Sequence, residues 1–231
     1  MKEKNIPQLE TVIGVHFANP ELLRQAMVHR SYLNENPSFE LDHNERLEFL
    51  GDAVLELVVT EYLYQNYDNP EGELTNWRAA LVNAKMLGDI AQELKFNNFL
   101  YLSKGESKDA NTKARQYILA NAVEAIIGAI YLDQGYGAAQ AFITASILAH
   151  LPKILKEKLY IDPKTRFQEA AQEYMGITPS YQVLHEEGPD HSKTFRVGVF
   201  LGDDIVAEGT GSSKQEAQVA AAEKGIEVKG W

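Results

Sequence analysis

The segment ILANAVEAIIGAIYLD, Ile118 to Asp133, constrains the fold more than any other. Its apolar residues, from Ile118 and Leu119 through Val123, Ile126 and Ile127 to Ile130 and Leu132, cover nearly every direction around a helix. A helix that is apolar all round has to be surrounded by other elements. Asn121 and Glu124 interrupt it and, three residues apart, share one face. An unpaired buried carboxylate is expensive, so these two groups need something to face.

The rest of the chain to about Leu159 supplies the surroundings. PELLRQAMV, RLEFLGDAVLELVVTEYLY, LTNWRAALVNAKMLGDIAQEL and AAQAFITASILAHL carry apolar residues at three-to-four spacing. Asn19-Pro20, Glu35-Asn36-Pro37, Asp68-Asn69-Pro70 and Lys104-Gly105 mark the turns between them. No two-residue alternation interrupts this part, which reads as all-α. KILKEKLYIDP, Lys153 to Pro163, is charged, ends in proline and reads as a linker. Beyond it, TRFQEAAQEYMG reads as a helix closed by Gly176. YQVLHEEG, TFRVGVFLG and DIVAEGTG read as three short strands, and SSKQEAQVAAAEKGIEV as a helix capped by Ser212 or Ser213. The expectation is a multidomain chain: an all-α domain over 1–156, a linker over 157–163, and a small α+β domain in the order α-β-β-β-α over 164–231.

Composition narrows the chemistry. There is no cysteine, which excludes disulfides, thiolate zinc sites and a cysteine nucleophile. That accords with a reducing cytoplasm, where the chain is expected. No run of about 18 uncharged apolar residues stands out and MKEKNIPQLE lacks an apolar stretch, so neither a membrane span nor a secretory signal is expected. The net charge of −11 argues on its own against a nucleic-acid partner and suits cation binding.

The acidic charge is patterned. In HNERLEFLGDAVLELVVTEYL, Glu45, Glu48, Asp52 and Glu56 are spaced three, four and four. They fall within roughly an 80° sector of one helix, with Leu47, Leu50, Val54, Leu57 and Val58 on the opposite sectors. Like charges at four spacing destabilise a helix, and no Lys or Arg of this stretch is placed to relieve them. One reading is a solvated helix face. The other is a site for a hard divalent cation, which takes oxygen ligands. If the Asn121/Glu124 helix packs beside this one, Glu48 and Asp52 face Asn121 and Glu124 across the bundle, as helical bundles build metal sites. Alternatively, Asn121 hydrogen-bonds a backbone carbonyl and Glu124 pairs with Arg115 or a base from a neighbouring helix.

HNERLEFLGDAVLELVV is similar to the signature of the ribonuclease III family. FANPELLRQAMVHRSYLNEN resembles the family's first helices, and EGELTNWRAALVNAKMLGDIAQEL the next pair. ILANAVEAIIGAIYLDQGY resembles the second half of its active site. PKTRFQEAAQEY, PSYQVL, EGPDHSKTFRVGVFL and GTGSSKQEAQVAAA together look like a double-stranded-RNA-binding domain. The resemblance implies a homodimer and Mg²⁺-dependent hydrolysis of duplex RNA, with Mn²⁺ able to substitute, leaving 5′-phosphate and 3′-hydroxyl ends. It also implies a place in the processing of ribosomal and messenger RNA. Its metal ligands fall on Glu48, Asp52, Asn121 and Glu124, and its catalytic set on Glu45, Glu48, Asp52 and Glu124. Glu71, in PEGELT, matches an acidic residue near the family's catalytic valley. In the second domain Gln168 and Glu169 would reach one minor groove, Pro189 and His191 the next, and Ser213 and Lys214 phosphates. Divalent metal suffices to activate water and neutralise the scissile phosphate, so His29, His43 and His150 are read as structural or surface groups.

This chain departs from the family pattern at Asn121, where Asp is usual. An amide oxygen still binds a hard cation, but one negative charge is missing. Two readings follow: a ribonuclease working through its other three carboxylates, or a dimeric duplex-RNA binder with impaired cleavage. KGESKDANTKARQ, before this helix, reads as a charged exposed loop containing Lys104, Lys108, Lys113 and Arg115. From Asp162 to Trp231 there are 7 Lys or Arg against 12 Asp or Glu. RNA binding is therefore expected to be weak for a domain of this type.

Overall fold

The first helix, α1 (Ile6–Ile13), opens on the Asn5 side chain, which accepts a hydrogen bond from the Gln8 amide, and closes on Gly14 at φ 69°. The computed structural model of the chain describes residues 4–108, 112–189 and 193–231. It divides into two units, Met1–Glu157 and Lys158–Trp231. In the first, α2 (Pro20–Ala26) starts on the Asn19 cap with Pro20 at its first position. α3 (Arg30–Glu35) starts on His29, whose ring accepts from the Ser31 amide, so His29 has a structural role. α4 (Glu45–Asn66) is the acidic-stripe helix.

LTNWRAALVNAKMLGDIAQEL, one run by its periodicity and a pair of helices by its resemblance, is the pair: α5 (Glu71–Val82) and α6 (Ala84–Glu93). Asn83 divides them at φ −73°, ψ 156°. Its Nδ2 donates to the carbonyls of Ala79 and Ala80, and its Oδ1 accepts from the Met86 amide. One side chain thus ends one helix and begins the next, without the glycine or proline that normally marks a break.

The segment expected as a charged loop carries a short helix, α7 (Lys104–Lys108). Then α8 (Lys113–Gln134) starts on Thr112, whose hydroxyl oxygen accepts from the Arg115 amide. Arg115 is only 3% exposed and donates to the Glu106 carbonyl; it is neither a loop cation nor a partner of Glu124. Asp133, near the end of α8, accepts from the Ala18 and Asn19 amides at 2.8 and 2.9 Å and so ties α8 to the start of α2. α9 (Tyr136–Ser146) and α10 (Leu151–Lys156) follow. By length and apolar content Tyr136–Lys156 would suffice to cross a membrane. Here a 3-10 turn at Leu148–His150 divides it, and Phe142, Ile143, Leu151 and Ile154 are buried in the unit's core. As the opening segment requires, α8 is the central helix: Leu119, Ala122, Val123 and Ala125 to Ile127 are fully buried.

In the second unit, α11 (Pro163–Met175) starts on Asp162, whose side chain accepts from the Lys164 and Thr165 amides, and ends at Gly176, φ 68°. β1 (Ser180–Glu187), β2 (Thr194–Leu201) and β3 (Asp204–Gly211) form one antiparallel sheet in that order. α12 (Lys214–Lys229) starts on Ser213. The α-β-β-β-α order is as expected. The core joins Phe167 and Ala171 to Val199, Leu201, Ala221, Ala222 and Ile226. Close packing of α12 depends on missing side chains: a Cβ at Gly211 would stand 2.6 Å from the Ala217 amide, and one at Gly225 2.8 Å from the Phe167 ring.

Candidate active site

α4 and α8, 22 residues each, share the most extensive contact in the chain. Glycine lets them touch backbone to backbone. A Cβ on Gly51 would fall on the Glu124 carbonyl and 2.9 Å from the Gly128 amide nitrogen. A Cβ on Gly128 would fall on the Leu47 carbonyl and 3.1 Å from the Gly51 nitrogen. Gly51 lies between Glu48 and Asp52, and Gly128 one turn beyond Glu124. The crossing therefore brings two carboxylates of α4 to the polar pair of α8. The two glycines were not singled out in the sequence; their signal was a helix glycine in each of two strongly apolar segments, where glycine weakens a helix.

The electrostatics show who faces whom. Burial first, then the charges of Asp52 and Glu48, together raise the Glu124 carboxyl to about 7. Glu48 is also raised, first by burial, then by Glu45, with Asp52 adding; a side-chain hydrogen bond from Asn121 pulls it back down. The polar pair of α8 thus faces the carboxylates of α4. Among the described residues no ion pair reaches Glu48, Asp52 or Glu124. Nor, among them, does any group of three or more His, Asp and Glu side chains converge closely enough to hold an ion as it stands. Asp52 stands near enough to raise both Glu48 and Glu124, and Glu48 to raise Glu124, without the group closing into a cage.

The ends of the stripe differ from this centre. Glu45 is paired with Arg30 at 3.5 Å and His43 at 3.7 Å, and Glu56 with Arg78 of α5 at 2.9 Å. Relief absent from the helix itself comes from other elements. The apolar sectors also differ from expectation. Leu47, Val54 and Val58 are buried, but Leu57 is 57% exposed and lies in a surface stripe with Phe49 (81%) and Tyr64 (80%). Glu71 stands at the first position of α5 and lines a cavity of about 690 Å³ with Tyr64, Tyr67 and Arg78.

In the second unit Gln168 and Glu169 are exposed on α11, Pro189 is exposed after β1, and Ser213 and Lys214 are exposed at the start of α12. His191 lies outside the described residues. The end of β1 meets the start of α12, with Lys214 Nζ 3.0 Å from Glu186 Oε1.

Comparison with known proteins places the chain in a family. The family pattern described as Ribonuclease-III-like matches residues 19–151, and the Double-stranded RNA binding motif matches residues 163–229. Ribonuclease 3 of Carboxydothermus hydrogenoformans is 44% identical over 229 residues, 99% of this chain and 97% of its own length. Ribonuclease 3 of Bdellovibrio bacteriovorus is 40% identical over 231 residues, 99% of this chain and 98% of its own. The nuclease domain of ribonuclease III from Campylobacter jejuni superposes with a TM-score of 0.57 at 40% identity, covering 64% of this chain and 99% of that one. The chain belongs to the ribonuclease III family. It is an endoribonuclease for double-stranded RNA, with the divalent-metal dependence of that family. The alternative of an RNA binder with impaired cleavage is not favoured by relatives of this name that match over nearly the whole length.

Proposed function

We propose that the chain hydrolyses duplex RNA with Mg²⁺ held by Glu48, Asp52, Asn121 and Glu124, leaving 5′-phosphate and 3′-hydroxyl ends. The observation that carries this is the glycine crossing of α4 and α8, which sets these four oxygen donors on facing helices. The donors fit the ion: all are hard oxygens, and a Glu124 carboxyl raised to about 7 by burial and by two neighbouring carboxylates is relieved by a cation. Mn²⁺, with similar ligand preferences, would substitute. A bound divalent cation supplies an activated water and neutralises charge on the scissile phosphate. The protein's own part is to hold the donors on two helices fixed against each other and to orient Glu48 through Asn121. Glu45, tied to Arg30 and His43, is the catalytic-set residue at the rim.

Asn121 supports activity at a reduced cation affinity. An Asn121→Asp variant is expected to cleave a labelled duplex at several-fold lower Mg²⁺ than the unaltered chain, because it restores one ligand charge. An unaltered chain that binds the duplex but never cuts it at any Mg²⁺ concentration would sink the reading.

The exposed stripe Phe49, Leu57 and Tyr64 on α4 supports a homodimer. Such a patch marks an interaction surface, and the stripe spans about 22 Å of helix. A two-fold axis at its middle sets Phe49 of each copy beside the cavity near Tyr64 of the other. The structure of the Campylobacter jejuni nuclease domain describes flexibility in a region involved in dimer formation of that protein. Phe49→Asp is expected to shift the mass in solution from dimer to monomer; a variant that stays dimeric excludes this face. Gln168, Glu169, Pro189, His191, Ser213 and Lys214 contact the RNA, over about 16 base pairs in two minor grooves and the phosphates between. The work is done in the cytoplasm, on RNA undergoing maturation.

A further inference from the structure

The cations at the RNA-contacting end of the second unit already hold anions of the protein. Lys214 Nζ lies 3.0 Å from Glu186 Oε1 and over the Phe195 ring. Lys193 Nζ lies 3.8 Å from the other oxygen of the same carboxylate. Glu186, at the end of β1, is therefore a clasp between two lysines, one just before β2 and one at the start of α12. It sits where the proposed contact would put an RNA phosphate, and its two oxygens offer the acceptor geometry a phosphate offers. Beside it, Glu216 accepts from the Ser212 amide at 3.0 Å and from the Ser212 hydroxyl at 2.6 Å. Its own amide is capped by Ser213, so Glu216 belongs to the helix cap. Glu186 has no such structural duty: it is exposed on a strand end, and surface ion pairs of this kind contribute little to folding.

We propose that Glu186 is an internal competitor for the phosphate-binding Lys214, and that it sets how tightly and how salt-dependently this protein holds duplex RNA. This rests on the reading of Lys214 as a phosphate contact. RNA has to displace the carboxylate before it gains Lys214. The cations released on binding are those condensed on the RNA, and a carboxylate set free at the same moment takes a cation back up, which flattens the dependence on salt.

The test measures binding of the full chain to an RNA duplex of about 16 base pairs. Metal is removed so that the duplex survives, and KCl runs from about 50 to 200 mM. Glu186→Gln is expected to bind roughly three- to tenfold tighter at the low end, with the log–log salt slope steeper by about 0.7–0.9 for the release of Lys214. Its thermal transition should stay where it was. In a Lys214→Gln background the gain should largely vanish, the coupling a double-mutant cycle reports. Unchanged or weaker binding by Glu186→Gln overturns the proposal, because the carboxylate then orients the lysines or does nothing. An equal gain with and without Lys214 also overturns it, leaving only a general charge effect. If Lys214→Gln itself binds as well as the unaltered chain, the contact reading beneath the proposal has failed instead.

Discussion

Glu124→Gln should abolish cleavage, by about a thousandfold or more, while making the metal-free nuclease unit harder to melt. The loss follows from removing a ligand charge where a cation supplies several kcal/mol to the transition state. The gain follows from linkage. The folded-state pKa of Glu124, about 7, lies above its ordinary 4.5. Between these values the folded protein holds the proton more tightly than the unfolded chain, so stability falls as pH rises through that window. Above it the full penalty of the charged, half-buried group is present. Glutamine removes that penalty, worth on the order of 2 kcal/mol after allowance for partial exposure, or about 4–8 °C in a unit of this size. The advantage should be complete at pH 8 and gone below pH 4.5. Adding Mg²⁺ should then raise the melting temperature of the unaltered chain by mass action and leave the variant nearly unmoved. A variant less stable than the parent at pH 8 without metal would show that Glu124 is held by a favourable partner and not strained by Asp52 and Glu48.

The second large effect is at the helix crossing. Gly51→Ala places a methyl group on the Glu124 carbonyl, a backbone atom with no rotamer to escape into. Overpacking typically costs about 1–3 kcal/mol, and this case belongs at or above the upper end, lowering the unit's melting temperature by about 6–12 °C. Forcing the helices apart by even about 1 Å should also cut cleavage roughly a hundredfold, because the donors sit on both. Gly128→Ala, which meets the Leu47 carbonyl, should do the same. Gly72→Ala is the control: its Cβ meets open space on a helix, so it should gain up to about 1 kcal/mol. If Gly51→Ala melts with the parent and cuts as well, the close approach does not build the site.

The centre of the site was legible because the residues that carry it violate the rules for ordinary helices. Asn121 and Glu124 break an apolar helix, and Glu48 and Asp52 repel one another on another. Such exceptions point to each other. Features that satisfy local rules left no trace. Asn83 breaks a helix through side-chain bonding that any asparagine could make, so periodicity runs through α5 and α6 unbroken and only the family resemblance divides them into a pair. Arg115 looked like a loop cation because its burial against the Glu106 carbonyl depends on how α7 folds back. Arg78 and Arg30, which relieve the ends of the acidic stripe, come from distant sequence, and Leu57 was placed inside because periodicity marks an apolar face without saying what covers it. The second unit was read almost completely, since its turns, the short strands between them and its serine cap are local signals.

The close approach of Gly51 to Gly128 has a consequence during synthesis. The two residues are 77 positions apart, which at roughly 5–20 residues per second is about 4–15 s of translation. Through that interval α4 is outside the ribosome without the helix that covers its buried face, and α2 without the Asp133 carboxylate that caps its start. The nuclease unit therefore completes late, once α8 and the α9 and α10 that pack after it have arrived. A nascent chain stalled before residue 118 should be sensitive to protease and adherent to chaperones, and one stalled with residues to Lys156 fully emerged should be neither.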